Sequence, residues 1–349
     1  MPLTQTALVK IPDTSLPNLP DFYFALLALP VSVLAVWLFS RGRAAHLALD
    51  RPNLRSLHTM PIPRTGGLGM IVGVAIGWFA AGVNLPIPLS VGAGLLAAIS
   101  FADDRHNLPS GLRFVAHAAA AIWLVMALGT HWNLWTWPIL ILLVVWMTNL
   151  YNFMDGSDGL AGGMALFGFG SYALAAVLQG QADLALASMV IALAASGFLL
   201  FNFPPTKVFM GDAGSIPLGF LAAGFGLLGT VRGSWPGWFP LLVFAPFVLD
   251  ASVTLARRGL RGEKIWHAHK EHYYQRLIRM GWSHRKTGLA EYAVMGGSGS
   301  IALLGISVSS STTIAIVTLW GAVLVTLMWL VDKHWRAFSD NLNDISPPL

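Results

Sequence analysis

Apolar runs of about the length that spans a bilayer recur along almost the whole chain, near 22–40, 66–84, 86–102, 114–130, 135–150, 160–178, 183–202, 215–231, 238–256, 289–308 and 311–331. Several are separated by only a few residues, such as Leu85-Pro86 and Ser309-Ser310, which read as tight hairpin turns. The pattern predicts an all-α fold: a polytopic membrane helix bundle of about eleven transmembrane helices, a single domain over 1–349 with the bundle at 21–335. Composition agrees, because a chain with 55% hydrophobic and only 11% charged residues cannot be a water-soluble globule of this length.

Lys and Arg orient the bundle. Alternate loops collect nineteen of the 21 basic residues, the largest group lying in a histidine-rich basic loop at 257–288, and leave Lys10 and Arg232 for the other side. The positive-inside rule makes the basic side cytoplasmic. An odd number of crossings then puts the N-terminus outside and the C-terminus in the cytoplasm. The net charge of +5 is accounted for by these loops, so it does not point to nucleic acid. With no cysteine, disulfides and thiolate metal sites are excluded.

The polar clusters fall on that same side. Asn149-Leu-Tyr-Asn152-Phe-Met-Asp155-Gly-Ser-Asp158-Gly stands where one helix leaves lipid and the next begins, and ionisable groups at such a depth mark function. Its oxygens suit Mg²⁺, a ribose or a base edge; the same string also reads as a helix cap and loop. Asp103-Asp104 ends the third run, and adjacent carboxylates repel unless they share a cation. Gly211-Asp212-Ala-Gly214-Ser215 opens the eighth run as a natural phosphate site, or as a simple N-cap at Asp212. His267, His269, His272 and Arg276 lie within ten residues. At spacings of three and four, His269, His272 and Arg276 can share a helical face, and the neighbouring cations favour an anion over zinc. Asp50 to Gly67 is a Pro-stiffened loop carrying Arg55, His58 and Arg64. Asp250 lies inside an apolar run and has no evident chemical role. Polar chemistry confined to one membrane face argues for an enzyme, whereas a carrier would place it near the midplane.

In this order and spacing, Asp50-x-Pro52-Asn53-x-Arg55, Asp103-Asp104, the Asn149–Gly159 string, Gly211–Ser215 and the histidine loop resemble the polyprenyl-phosphate N-acetylhexosamine-1-phosphate transferases, glycosyltransferase family 4. The resemblance implies transfer of a sugar-1-phosphate from a UDP-N-acetylhexosamine to undecaprenyl phosphate in the bacterial inner membrane, with release of UMP. It implies Mg²⁺, with Mn²⁺ as a substitute, held by Asn152 and Asp212. Catalytic roles fall to Asp103, Asp104, Asp155, His267 and His269; substrate contacts fall to Asn149, Asp158, Gly214, Ser215, His272, Arg276, Arg55 and His58. Two departures stand out: Asn107 replaces a third Asp, and the histidines are interrupted where the peptidoglycan-precursor branch has them consecutive. The pattern is more similar to the branch that starts O-antigen and related surface polysaccharides. Phospho-MurNAc-pentapeptide transfer is the alternative within the family; a transporter and a zinc hydrolase are alternatives outside it. Apolar outer helices would permit a homodimer.

Overall fold

The computed structural model describes residues 19–50, 61–128, 132–264 and 269–345. The chain opens with α1 (Leu19–Ala25) and α2 (Ala28–Phe39), which stack into a single span. A short α3 (Gly42–Ala45) follows, then a two-stranded antiparallel ribbon of β1 (Leu49–Asp50) and β2 (Ile62–Pro63). Next come α4 (Gly66–Ala80), α5 (Ile87–His106), α6 (Ser110–Leu128), α7 (Trp137–Met154), α8 (Leu160–Leu178), α9 (Ala182–Asn202) and α10 (Asp212–Val231). The remainder is α11 (Trp238–Val243), α12 (Ala245–Leu260), the short α13 (Tyr273–Arg279), α14 (His284–Gly305) and the long α15 (Ser310–Ile345).

Over the described residues, each of the eleven apolar runs is largely helical. Among the described residues, eight helical stretches are long and apolar enough to cross a membrane. The other three runs differ for local reasons. α4 has only 15 residues; the 238–256 run breaks at Phe244 between α11 and α12; and α14 begins with His284, Arg285 and Lys286 and carries Glu291 and several small residues. The chain is a multi-pass helical membrane protein.

α10 is the axis of the bundle, almost wholly buried among the other helices. Membrane helices approach closely where side chains are small, since apolar burial gives no preference for helix over lipid. α10 accordingly lays Gly219 against the Met147 and Thr148 backbone of α7, Gly224 against Leu89 of α5, and Gly226 against Pro240 of α11. One layer further out, Phe169, Tyr172, Phe225, Trp235, Phe239 and Phe244 form an edge-to-face and stacked aromatic cluster. Its polar atoms are satisfied, for Tyr172 donates to the Ala222 carbonyl and Trp235 Nε1 to that of Gly226. This packing fixes which helix ends meet: the C-termini of α5 and α7 lie beside the N-terminus of α10.

Candidate active site

The site is assembled from those helix ends. At the last turn of α5 the paired carboxylates separate in role. Asp103 turns inward, where Oδ1 accepts the Leu108 N–H at 2.7 Å and Oδ2 takes the Arg113 guanidinium of α6 at 2.7 Å. This closes the α5–α6 turn, in which Asn107 adopts a left-handed conformation at φ +51°. Asp104 points the other way. Its Oδ2 accepts the Ala213 N–H at 3.1 Å and so caps α10 from another helix, where the freed amides and the positive end of the dipole favour an anion.

α10 begins at Asp212 after Gly211, whose φ of +71° is open to glycine and strained for other residues. A Cβ at Gly211 would also meet the Arg64 carbonyl and the Asp104 carboxylate. Asp212 Oδ2 lies 3.6 Å from Arg113 Nη1, so that one guanidinium spans Asp103 and Asp212. From α7, Asn152 Oδ1 accepts the Ser215 hydroxyl at 2.7 Å, and its side chain also reaches Asp212. Asp155 caps the C-terminal end of α7 and is partly buried. Burial raises its carboxyl well above the usual range, and the carboxylates of Asp212 and Asp104 push it further up; only Arg64 opposes them. Arg64 is itself paired with Asp50 at 2.8 Å across the β1–β2 ribbon.

Asp104, Asp155 and Asp212, with the Asn152 and Ser215 oxygens, thus share one cleft in which, among the described residues, negative charge exceeds the cations present. Among the described residues no three His, Asp or Glu side chains close into a complete metal-ligand set. Carboxylate and carboxamide oxygens are hard ligands, the donor type that suits Mg²⁺.

The family model described as glycosyl transferase family 4 matches residues 87–230, the segment from α5 to α10. A Mycobacterium tuberculosis protein named decaprenyl-phosphate N-acetylglucosaminephosphotransferase is 30% identical over 298 residues, covering 71% of this chain and 73% of the relative. The chain belongs to the polyprenyl-phosphate hexosamine-1-phosphate transferase superfamily. A Bacillus subtilis member named probable undecaprenyl-phosphate N-acetylglucosaminyl 1-phosphate transferase is 28% identical over 84% of this chain and 87% of its own length. A Geobacillus kaustophilus phospho-N-acetylmuramoyl-pentapeptide-transferase matches at 34% identity over a shorter stretch, 58% of this chain and 59% of its own.

Other residues expected at a transferase site lie around this cleft in distinct settings. Asn149 sits a turn below Asn152, bonded to the Val145 carbonyl and beside the buried His117 of α6. Ser157 and Asp158 meet the start of α14, with His284 Nδ1 3.0 Å from Ser157 Oγ and 3.8 Å from Asp158 Oδ1. Gly214 serves close packing: its amide bonds to the Gly211 carbonyl, and a Cβ there would run into Gly67 of α4. Arg55, His58 and His267 lie outside the described residues.

The histidine segment departs from the single helical face expected of it. α13 begins only at Tyr273, so His269 precedes the helix and His272 stands at its N-cap, where its N–H bonds to Gln275 Oε1. His272 Nδ1 lies 3.0 Å from Asp250 Oδ1, and the same carboxylate accepts the Tyr273 and Tyr274 N–H groups. The carboxylate inside an apolar run is thereby explained, since Asp250 anchors α13. Arg276, read from sequence as a substrate contact, is buried against Asp332 of α15 at 2.8 Å. α13 reaches the cleft through Tyr274, which donates to the Phe153 carbonyl and lies against Gly156 beside Asp155. Nothing in the sequence singled out Arg113, His117 or His284. Their signal was only that each is a polar residue on an otherwise apolar helix or at its start.

Proposed function

We propose that this protein transfers N-acetylhexosamine-1-phosphate from a UDP-sugar to undecaprenyl phosphate at the cytoplasmic face of a bacterial inner membrane, releasing UMP and starting an O-antigen or related surface glycan. The observation that carries the reading is the meeting of Asp104, Asn152, Asp155 and Asp212 in one charge-excess cleft at a helix N-terminus. Phosphoryl transfer between two anions needs such a place, where their charge is screened and the reacting oxygens are held in line. N-acetylglucosamine is the first sugar to test, because relatives of this chain are named for it.

In this reading Asn152 and Asp212 hold Mg²⁺, which neutralises the diphosphate charge of the donor. Arg113 and Arg64 add fixed positive charge at the rim. Asp103 is occupied by Leu108 and Arg113, so it shapes the turn. Asp104, which faces the cleft, is the carboxylate placed to orient the incoming lipid phosphate or accept its proton. The location of the basic loops supports the cytoplasmic orientation and an odd number of crossings. The interrupted histidine pattern supports the surface-polysaccharide branch over the peptidoglycan one.

The test is a membrane-fraction assay with undecaprenyl phosphate and a panel of UDP-N-acetylhexosamines, following UMP. Release that depends on both substrates, stops with EDTA and returns with Mg²⁺ supports the proposal. Turnover that resists EDTA, or no UMP from any donor, overturns it.

A further inference from the structure

The last helix, α15, lies outside both the segment matched by the family model and the stretch whose motifs carry the resemblance, yet it grips the histidine segment. Asp332, 8% exposed, receives Arg257 of α12 through two bonds of 2.7 Å, Arg276 of α13 at 2.8 Å and the Tyr273 hydroxyl at 3.1 Å. One turn on, the Trp335 ring lies under the guanidinium groups of Arg276 and Arg279, at 5.7 and 4.6 Å from its centroid. Asp250 of α12 holds the N-terminal end of α13 through His272 and two backbone amides. Between these two carboxylates α13 has little freedom to shift, and its Tyr274 is the group that touches the Phe153–Gly156 turn next to Asp155.

From this arrangement we infer that α15 is a strut that sets where α13 stands against the Phe153–Gly156 turn beside Asp155, with Asp332 as a positioning residue. Its bonds join three elements that the sequence keeps far apart, 75 residues from Arg257 and 56 from Arg276. Removing the Asp332 charge leaves Arg276, itself only 6% exposed, buried without a counter-ion. α13 must then move to hydrate that charge, and displacements of an ångström at a supporting element are enough to cost about a hundredfold in rate. The catalytic consequence rests on the proposed transferase reaction; the placement of α13 does not.

The experiment uses the full chain purified in lipid nanodiscs, as wild type, Asp332→Asn, Asp332→Glu, Trp335→Ala and the outward-facing control Leu319→Ala. Two readouts are taken: amide hydrogen exchange over residues 269–279 against 160–231, and UMP release with kcat and KM determined separately. Asp332→Asn is expected to speed exchange of 269–279 about tenfold or more while 160–231 stays protected, and to lower kcat/KM by about ten- to a hundredfold. Trp335→Ala shows the same pattern more weakly, Asp332→Glu recovers most of both losses, and Leu319→Ala changes neither. Unchanged exchange over 269–279 in Asp332→Asn overturns the proposal, as does a rise spread evenly over all helices. Should the wild type release no UMP while the exchange pattern appears as described, the transferase reading fails and the strut stands.

Discussion

The Asp104 carboxylate at the end of α5 accepts the backbone N–H of Ala213 in the first turn of α10, 109 positions later in the chain. Asp103, its immediate neighbour, is bound instead to Leu108 and Arg113. Adjacent carboxylates with different partners lose different things when neutralised. Asp104→Asn is expected to lower UMP release by about a hundred- to a thousandfold with little change in thermal stability, in line with losing one charged group aimed at the reacting centre. Asp103→Asn combines a milder kinetic defect with a lower melting temperature, because it loosens the α5–α6 turn. Equal effects of the two on both measurements would contradict this division.

Arg113 spans Asp103 and Asp212 with one guanidinium. Both contacts come from the single nitrogen Nη1, so Lys keeps the charge that meets them but has a shorter reach and lacks the guanidinium's other donors. Arg113→Lys should therefore retain part of the activity, within about tenfold of wild type, whereas Arg113→Ala loses about a hundredfold. A titration of the Mg²⁺ requirement should show both variants with an altered midpoint, since the guanidinium lies against the proposed ligand Asp212.

His269 accepts the Glu271 N–H on Nδ1 and is half-buried, so its imidazole is held neutral. Burial, followed by His272 and Arg258, depresses its pKa from 6.5 to about 4. The folded state thus binds a proton less readily than the unfolded one. The stability linked to this group is complete above pH 6.5 and is lost as pH falls from there towards 4. His269→Gln should flatten the decline of melting temperature between pH 7 and 5; an identical decline in the variant would refute the assignment.

Gly67 and Gly214 bring α4 and the start of α10 together, and a Cβ at Gly67 would stand 2.5 Å from both the Gly214 Cα and the Met210 carbonyl. Backbone cannot yield as a side-chain tip does. Gly67→Ala should cost about 1–3 kcal/mol, as overpacking of a close contact does, and should reduce activity by moving Asp212. Scanning calorimetry and the UMP assay together check it.

What the sequence revealed followed from features that act locally. Runs of apolar side chains must be helix in lipid, because every backbone group has to bond within its own segment, and over the described residues each such run is largely helical here. Asn149, Asn152 and Asp155 recur every third position, so their common course down α7 was readable, as was the crowding of polar residues at helix ends. The partners were not readable. Arg276 and Asp332, or Asn152 and Ser215, become neighbours only through the way helices dock, and a charge in sequence does not reveal whether it awaits a ligand or is already neutralised. The shared face expected for His269, His272 and Arg276 failed for a related reason: Asp250, distant in the chain, starts α13 at Tyr273 by binding its first amides. The 238–256 run likewise looks continuous by hydropathy, yet breaks at Phe244 where that ring enters the aromatic cluster.

The near-complete enclosure of α10 has a consequence for how such an enzyme can diversify. A helix with so little outward surface offers few positions where substitutions accumulate harmlessly, and an exchange of volume within it must be answered on the neighbours it touches, α4, α5, α7 and α11 among them. Variation that needs no such compensation is therefore confined to side chains facing away from the axis, such as Leu319 and Leu330 on α15.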